Sequence, residues 1–518
     1  MRKILLYLPI FLIQFCSPSN PTRNTSDQIK KVETSLVADV YFEDEPTWTI
    51  EERMKHYHVP GVSIAVIDNF KIAWTKAYGV MDEETNEPVT TQTLFQAGSI
   101  SKPVAAYGAL KLVEEGKINM DEDVNTYLKS WKLPENEFNQ NRKIALKHLL
   151  SHTGGVTVHG FLGYSPDLPV PTLVQVLNGE KPANSPPIRV DKVPEESFRY
   201  SGGGYCIMQQ MLIDIEGKEF PIILNEKVLQ PLGMTNSTYN QPLNPEQLKM
   251  AATGYLPDGT MTKGKRHTYP EMAAAGLWTT AEDLAKFAID VQKTYKGESS
   301  TILSKEMVNR MLTPFVEDFI GLGIFLSDYD DEIYFGHGGW DEGFSSKMGG
   351  HKTKGYGVVI LTNSNHPEFI DELSRAVALT YRWDNYVSVF KKRKMDTTQF
   401  TTIRGRYKNG NDDLITIETD GNKLFRKNIR SEATELFQVS DSTYVSHTSD
   451  QVLQFKLNPS DGRLHILVGN TRGDAQKFEH PKLTENEKIP FEFLLAGDFE
   501  KAIGEYQSLM RANPKDLP

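Results

Sequence analysis

Ser99 and Lys102 stand three residues apart in the run Ser99-Ile100-Ser101-Lys102. Behind them Val104, Ala105, Leu110 and Leu112 recur near helical spacing, with Pro103 in the first turn and Gly116 as a stop, so the spacing predicts a helix over 101–115. On such a helix the hydroxyl and the amine share one face, one turn apart. A serine hydroxyl is a weak nucleophile until a base accepts its proton. A lysine can be that base only where desolvation or nearby positive charge depresses its ordinary pKa of about 10.4. The amide groups and positive dipole end at a helix start favour the developing alkoxide and the oxyanion of a tetrahedral intermediate. The chemistry open to this pair is acyl transfer through a serine ester.

Spacing alone does not decide the matter, because a second copy occurs at Ser388-Val389-Phe390-Lys391. Independent partners follow only the first. Downstream lie Arg199-Tyr200-Ser201-Gly202-Gly203-Gly204-Tyr205 and then His337-Gly338-Gly339-Trp340. Tyr200 taken alone also reads as a half-buried aromatic, and His337 as a structural histidine. The glycines at 336, 338 and 339 favour a strand edge lying close to a ligand. No H-E-x-x-H, cysteine cluster, G-x-x-x-x-G-K, nucleotide-type G-x-G-x-x-G or G-x-S-x-G is present, so no cofactor or metal is implied.

Several elements must hold these residues. Val62–Val66 and Ile72–Tyr78 read as strands around a turn at Asp68-Asn69, Tyr356–Leu361 as a strand, and Glu368–Tyr381 as a helix. Early and late strands must then meet in one sheet around a helical middle, an α+β plan that makes 46–385 one large domain. From 397 to 480 short strands alternate with turn signals such as Asn409-Gly410-Asn411 and Asp420-Gly421-Asn422, which predicts a small antiparallel β domain. Residues 485–518 read as a helical hairpin resembling part of a tetratricopeptide repeat. It is either packed on its neighbouring domain or a docking element for a protein partner.

At 518 residues the chain is long enough for two or three units, and 39% hydrophobic with 24% charged residues is ordinary for a folded soluble protein. A formal charge of -11 opposes nucleic-acid phosphates, so nucleic acid is excluded as a partner. Met1-Arg2-Lys3 followed by an apolar run to Phe15 reads as an export leader over 1–16, too short to span a bilayer comfortably. Two readings fit Cys16: a lipidated first residue tethering the protein to a membrane, or ordinary cleavage nearby. Either places the body outside the cytoplasm, in the periplasm or anchored on the periplasmic side or outer membrane. Residues 17–45 are expected to be a linker. Cys206 is the other cysteine, so no internal disulfide is expected in the mature chain.

With the motifs in hand, the sequence over about 47–383 resembles the serine β-lactamase-related family. That family includes class C β-lactamases, D-Ala-D-Ala carboxypeptidases, D-aminopeptidases and carboxylesterases of the same fold. Further stretches carry the likeness: T-L-F-Q-A-G-S-I-S-K-P, L-K-H-L-L-S-H-T-G-G-V, Q-P-L-G-M-T-N-S-T-Y, A-A-A-G-L-W-T-T-A-E-D-L-A-K-F and G-Y-G-V-V-I-L-T-N-S. The resemblance implies Ser99 as nucleophile, Lys102 as base, Tyr200 as proton relay, and His337, Gly338 and Gly339 as the strand beside the substrate. It further implies an oxyanion hole from the backbone amides of Ser99 and Trp340. His152, in S-H-T-G-G, is read as structural.

Two departures bear on substrate. Gly202 stands where the family often has asparagine, deleting a substrate-binding amide worth about 1–3 kcal/mol. His337 stands where a lysine often supplies a permanent cation for a substrate carboxylate. Both changes favour an ester or a D-amino-acid peptide over a β-lactam. The alternative is an inactive relative that binds a peptidoglycan-like ligand or a protein partner of the cell envelope.

Overall fold

The protein is described by a computed structural model covering residues 25–471 and 478–512. The expected leader and Cys16 lie outside the described residues. The larger unit is α+β, built on a seven-stranded antiparallel sheet. Its order is Glu87–Pro88, Lys71–Asp82, Gly61–Asp68, Gly357–Thr362, Phe344–His351, Glu332–Asp341 and Phe325–Tyr329. The first and last thirds of this region therefore meet at the pairing of Ile64 with Ile360. Alternation along the central strands divides the core. Ala65, Ile67, Val359 and Leu361 enter one cluster, while Val62, Ile64, Val66, Val358 and Ile360 enter another, the period of two that a sheet covered on both faces requires.

Helix Ser101–Glu114 is buried on nearly every side from Ser101 to Leu110, as a helix apolar all round must be. Helix Ala281–Lys296 covers one face of the sheet. Helices Thr25–Glu33 and Pro367–Tyr381 lie together against the other.

The expected linker over 17–45 is corrected for its described part. Thr25–Glu33 is a helix whose Val32 is fully buried, Glu33 accepts a hydrogen bond from Tyr78 at 3.0 Å, and Val40–Phe42 pairs in parallel with Ser388–Phe390. Val32 and Leu36 bury against the main body and Val40 and Phe42 against the β domain, a tertiary effect that polar composition hides.

The β domain is an eight-stranded antiparallel sheet in sequential order: Gly405–Asn409, Asp413–Asp420, Lys423–Asn428, Thr434–Gln438, Thr443–Val445, Gln451–Leu457, Leu464–Asn470 and Phe478–Pro481. It curls into a nearly closed barrel, because Tyr407 bridges Lys482 and Leu483 N–H donates to Arg406 O at 2.8 Å. Two terminal helices, Pro490–Leu495 and Phe499–Ala512, are tied to it by Arg463 with Glu487 at 2.9 Å and by Arg406 with Glu492.

The second Ser-x-x-Lys run is extended. Ser388 begins strand Ser388–Phe390 and donates to Thr471 Oγ1 at 2.7 Å. A spacing of three on a strand sends Ser388 and Lys391 to opposite faces, so they cannot act as a pair. Ser388→Ala is accordingly expected to leave acylation by a reactive ester unchanged, as intact-mass analysis would show. Loss of the adduct in that variant would move the nucleophile to the second run.

Candidate active site

Ser99 sits on a single tight turn, Gly98–Ile100, that leads into helix Ser101–Glu114. Gly98 has φ +52°, and a Cβ there would fall 2.5 Å from Trp340 N. Glycine is therefore required twice, by conformation and by contact. Ser101 Oγ–H donates to Gly98 O at 2.6 Å and accepts from Leu277 N–H at 2.9 Å, fixing the turn from below. Lys102 Nζ lies 2.9 Å from Ser99 Oγ and donates to Ala274 O at 2.7 Å, with the whole side chain 2% exposed. A neutral amine so placed can accept the serine proton, the geometry that activation of a nucleophile requires.

Tyr200 completes the triangle. Its ring centroid is 4.9 Å from Lys102 Nζ. The ring stacks on His152 at 4.3 Å, and His152 Nδ1 accepts the Ser201 N–H at 3.0 Å while its carbonyl accepts Arg199 N–H at 2.8 Å. His152 thus grips the backbone on both sides of Tyr200. Burial, with the charge of Lys102 next, holds its imidazole neutral, well below the usual histidine range.

A cavity of about 430 Å³ opens over Ser99, Lys102 and Tyr200. Trp340, Ala274, Asp341 and the loop His159–Leu162 complete its walls. The nearness of Gly98 to Trp340 N sets the Gly98 backbone directly against the peptide of Trp340, beside the cavity. Gly339 allows the same approach, since a Cβ there would sit 1.9 Å from Ala97 O.

His337 and Gly338 line an adjoining cavity with Phe325 and Lys347 instead, and Gly339 lines neither. His337 donates Nδ1–H to Gly338 O at 2.5 Å, and burial, then the charge of Lys102, pushes its pKa down to about 3. The sequence left open whether this imidazole mimics a cation. The structure makes it a neutral ring on the strand rather than a carboxylate anchor.

Three features escaped sequence reading. His159 lines the cavity with its ring 4.8 Å from that of Tyr200. The loop containing it explains Gly202: a Cβ at 202 would meet Phe161 at 3.0 Å and His159 O at 3.1 Å, so the loop crowds the space beside residue 202. The third feature is a pair of buried acids, Asp341 and Glu271, neither of them in an ion pair among the described residues; Asp341 lies beside the Gly98 backbone and the Tyr269 hydroxyl. Burial raises both, Asp341 well above the carboxylate range and Glu271 up to about 8. Asp341 directly follows Trp340, which was the one available signal. Among the described residues no cluster of three or more His, Cys, Asp or Glu is arranged to hold a metal ion.

The fold and the order of the motifs are those of the β-lactamase-fold serine hydrolases. The chain belongs to the beta-lactamase family, whose family model matches residues 48–382. It is similar to protein flp of Staphylococcus aureus strain N315, 25% identical over 364 residues, 67% of this chain and 68% of that protein. It is 26% identical over 336 residues to the unguisins hydrolase ungD' of Aspergillus campestris, covering 61% of each. The octameric penicillin-binding protein homologue from Pyrococcus abyssi superposes with a TM-score of 0.55 at 22% identity, over 84% of this chain and 98% of that one.

Two outcomes follow. Glu271 is neutral when folded up to about pH 8 but ionises near 4.5 when unfolded, so its contribution to stability is complete below 4.5 and is lost as pH rises to 8. Glu271→Gln removes that loss. The unfolding free energy of the variant relative to wild type, from denaturant titrations, should climb between pH 5 and 8 by up to about 1.4 kcal/mol per pH unit, whereas a constant difference would place Glu271 in water. For His337, a neutral ring down to about pH 3 predicts that His337→Asn preserves the shape of the pH–rate profile from pH 5 to 9. A step that vanishes in the variant would show that the ring titrates there.

Proposed function

We propose that the protein hydrolyses a carboxylic ester or a peptide-like amide through an acyl-enzyme on Ser99. The observation that carries this reading is the 2.9 Å contact between Lys102 Nζ and Ser99 Oγ at the floor of the cavity. Lys102 takes the hydroxyl proton as Ser99 Oγ bonds to the substrate carbonyl carbon. The oxyanion is met by the amides of Ser99 and Trp340. Tyr200 passes the proton to the departing alcohol or amine as the carbonyl re-forms, and then assists the water that releases the acid. The relationship to a protein named as a hydrolase supports the reaction class.

Substrate choice follows from the walls. Lys102 is the sole lysine or arginine among the described residues lining the cavity, and it is engaged with the nucleophile. Trp340 and Leu162, 49% and 60% exposed, present apolar surface at the mouth. A substrate with an apolar acyl group and no carboxylate fits best, which disfavours penicillins. A second reading rests on Asp341: this acid in the cavity wall, in no ion pair among the described residues, would ionise and pair with the ammonium of a D-amino-acid amide when one is bound. Export by the leader, with lipidation at or cleavage near Cys16, belongs to the same proposal, and palmitate labelling of the expressed full chain separates the two.

Turnover of p-nitrophenyl butyrate, D-alanine amide and benzylpenicillin, with intact-mass analysis, tests the assignment. The butyrate ester should exceed benzylpenicillin in kcat/KM by about tenfold or more, since a missing substrate amide contact of about 1–3 kcal/mol is worth that factor. Ser99→Ala should abolish the adduct with the fold intact. An unchanged adduct would remove Ser99 from the mechanism, and absence of any adduct on wild type would favour a ligand-binding relative. Benzylpenicillin as the best substrate would overturn the reading of the walls.

A further inference from the structure

The interior of the barrel changes character at one end. Along Lys423–Asn428 the inward residues run Leu424, Arg426, Asn428. Along Thr434–Gln438 Leu436 gives way to Thr434, and along Gln451–Leu457 Leu453 gives way to Gln451. The pairings Leu424–Leu436 and Arg426–Thr434 put these changes in register. One end is thus packed with Tyr407, Leu424, Tyr444 and Ile466, while the other encloses a polar cavity of about 250 Å³. That volume has room for about eight water-sized groups. Eight-stranded barrels are wide enough to hold one small molecule, and barrel mouths are frequent ligand sites.

Arg426 gives the cavity its sign. An arginine keeps its charge whatever its surroundings. Its guanidinium donates to Gln451 Oε1, yet Nε is buried with no hydrogen-bond partner. Among the described residues no carboxylate forms an ion pair with it. Asp413 acts on it only through space, and the oxygens of that carboxylate are taken by Asn409, Asn428 and the Ile429 N–H. Burying a cation without its counter-charge is costly. Here the half-buried cation lies in a wall that, beside Leu436 and Leu453, offers hydroxyls and amides, including Thr434, Ser446 and Asn428.

We infer that this end of the barrel is a binding site for a small organic monocarboxylate, held by Arg426 and enclosed by the turns on either side. One guanidinium matches one negative charge and binds a carboxylate with two parallel N–H donors. A phosphate dianion would leave charge uncompensated. The polar rim suits an amide or hydroxyl on the ligand, and Leu436 and Leu453 suit a short apolar part. The site is separate from Ser99 and does not rest on the reaction proposed there.

N-acetylglycine is a probe of the right size and charge, and N-acetylglycinamide is its neutral match. Calorimetric titration of the full chain should show saturable binding of the acid at millimolar or lower concentration, with the amide at least about tenfold weaker, the factor for one charge-assisted hydrogen bond. Arg426→Gln should weaken the acid by a similar factor. Leu453→Phe, which fills the floor and keeps the charge, should do the same, and it decides the question if Arg426→Gln does not fold. Equal affinity for acid and amide, unchanged binding in the folded variants, tighter binding of inorganic phosphate, or no saturable binding would each overturn the assignment.

Discussion

The turn Gly98–Ile100 rests on strand Glu332–Asp341 backbone against backbone, with no side chain between them. Gly98 faces the peptide of Trp340, and Gly339 faces the carbonyl of Ala97. Everything catalytic in the site depends on that closeness. It sets the turn carrying Ser99 against the peptide of Trp340, and it fixes the start of the helix on which Lys102 reaches back to Ser99. The helix is buried nearly all round, so its position is set by packing. Ser346 Oγ–H donates to Ala97 O at 2.8 Å, tying the approach of the turn to the next strand of the sheet.

A dry interior lies behind this contact, and its charges oppose each other in their response to pH. His152 and His337 are held neutral by burial and by Lys102, so they resist acid: stability falls as pH drops below the ordinary histidine value. Asp341 and Glu271 are held protonated by burial, so they resist base, and their stabilising share is lost as pH rises above the ordinary carboxylate value. Desolvation therefore keeps the two histidines and the two acids around Lys102 in their uncharged forms. Preorganised polarity of this kind stabilises developing charge more strongly than water-exposed groups do.

The accessory barrel is joined to the catalytic body through the segment ahead of it. Phe42 on strand Val40–Phe42 packs with Val445 and Phe437 of the barrel, and Glu45 takes hydrogen bonds from Lys392 and His447. On its other side the same segment continues from a helix lying on Pro367–Tyr381. The N-terminal residues thus behave as a strap between the two units, and the barrel is held to the enzyme by more than the chain connection at 382–397.

The sequence by itself determined that Ser99 and Lys102 would meet and in what order the motifs follow, because a helix of known period fixes the relation of residues three apart. It also determined the α+β plan, since strand alternation and helical spacing are local properties. Tertiary structure alone decided that Ser388-Val389-Phe390-Lys391 is a strand and that residues 25–45 are folded onto the body. It likewise decided that His337 is neutral and turned from the catalytic cavity, and that the loop around His159 crowds the space beside Gly202. Asp341, Glu271 and Arg426 were illegible for the same reason. Their chemistry comes from burial and from partners far away in the chain, and neither residue type nor spacing records how much water a side chain will lose when the protein folds.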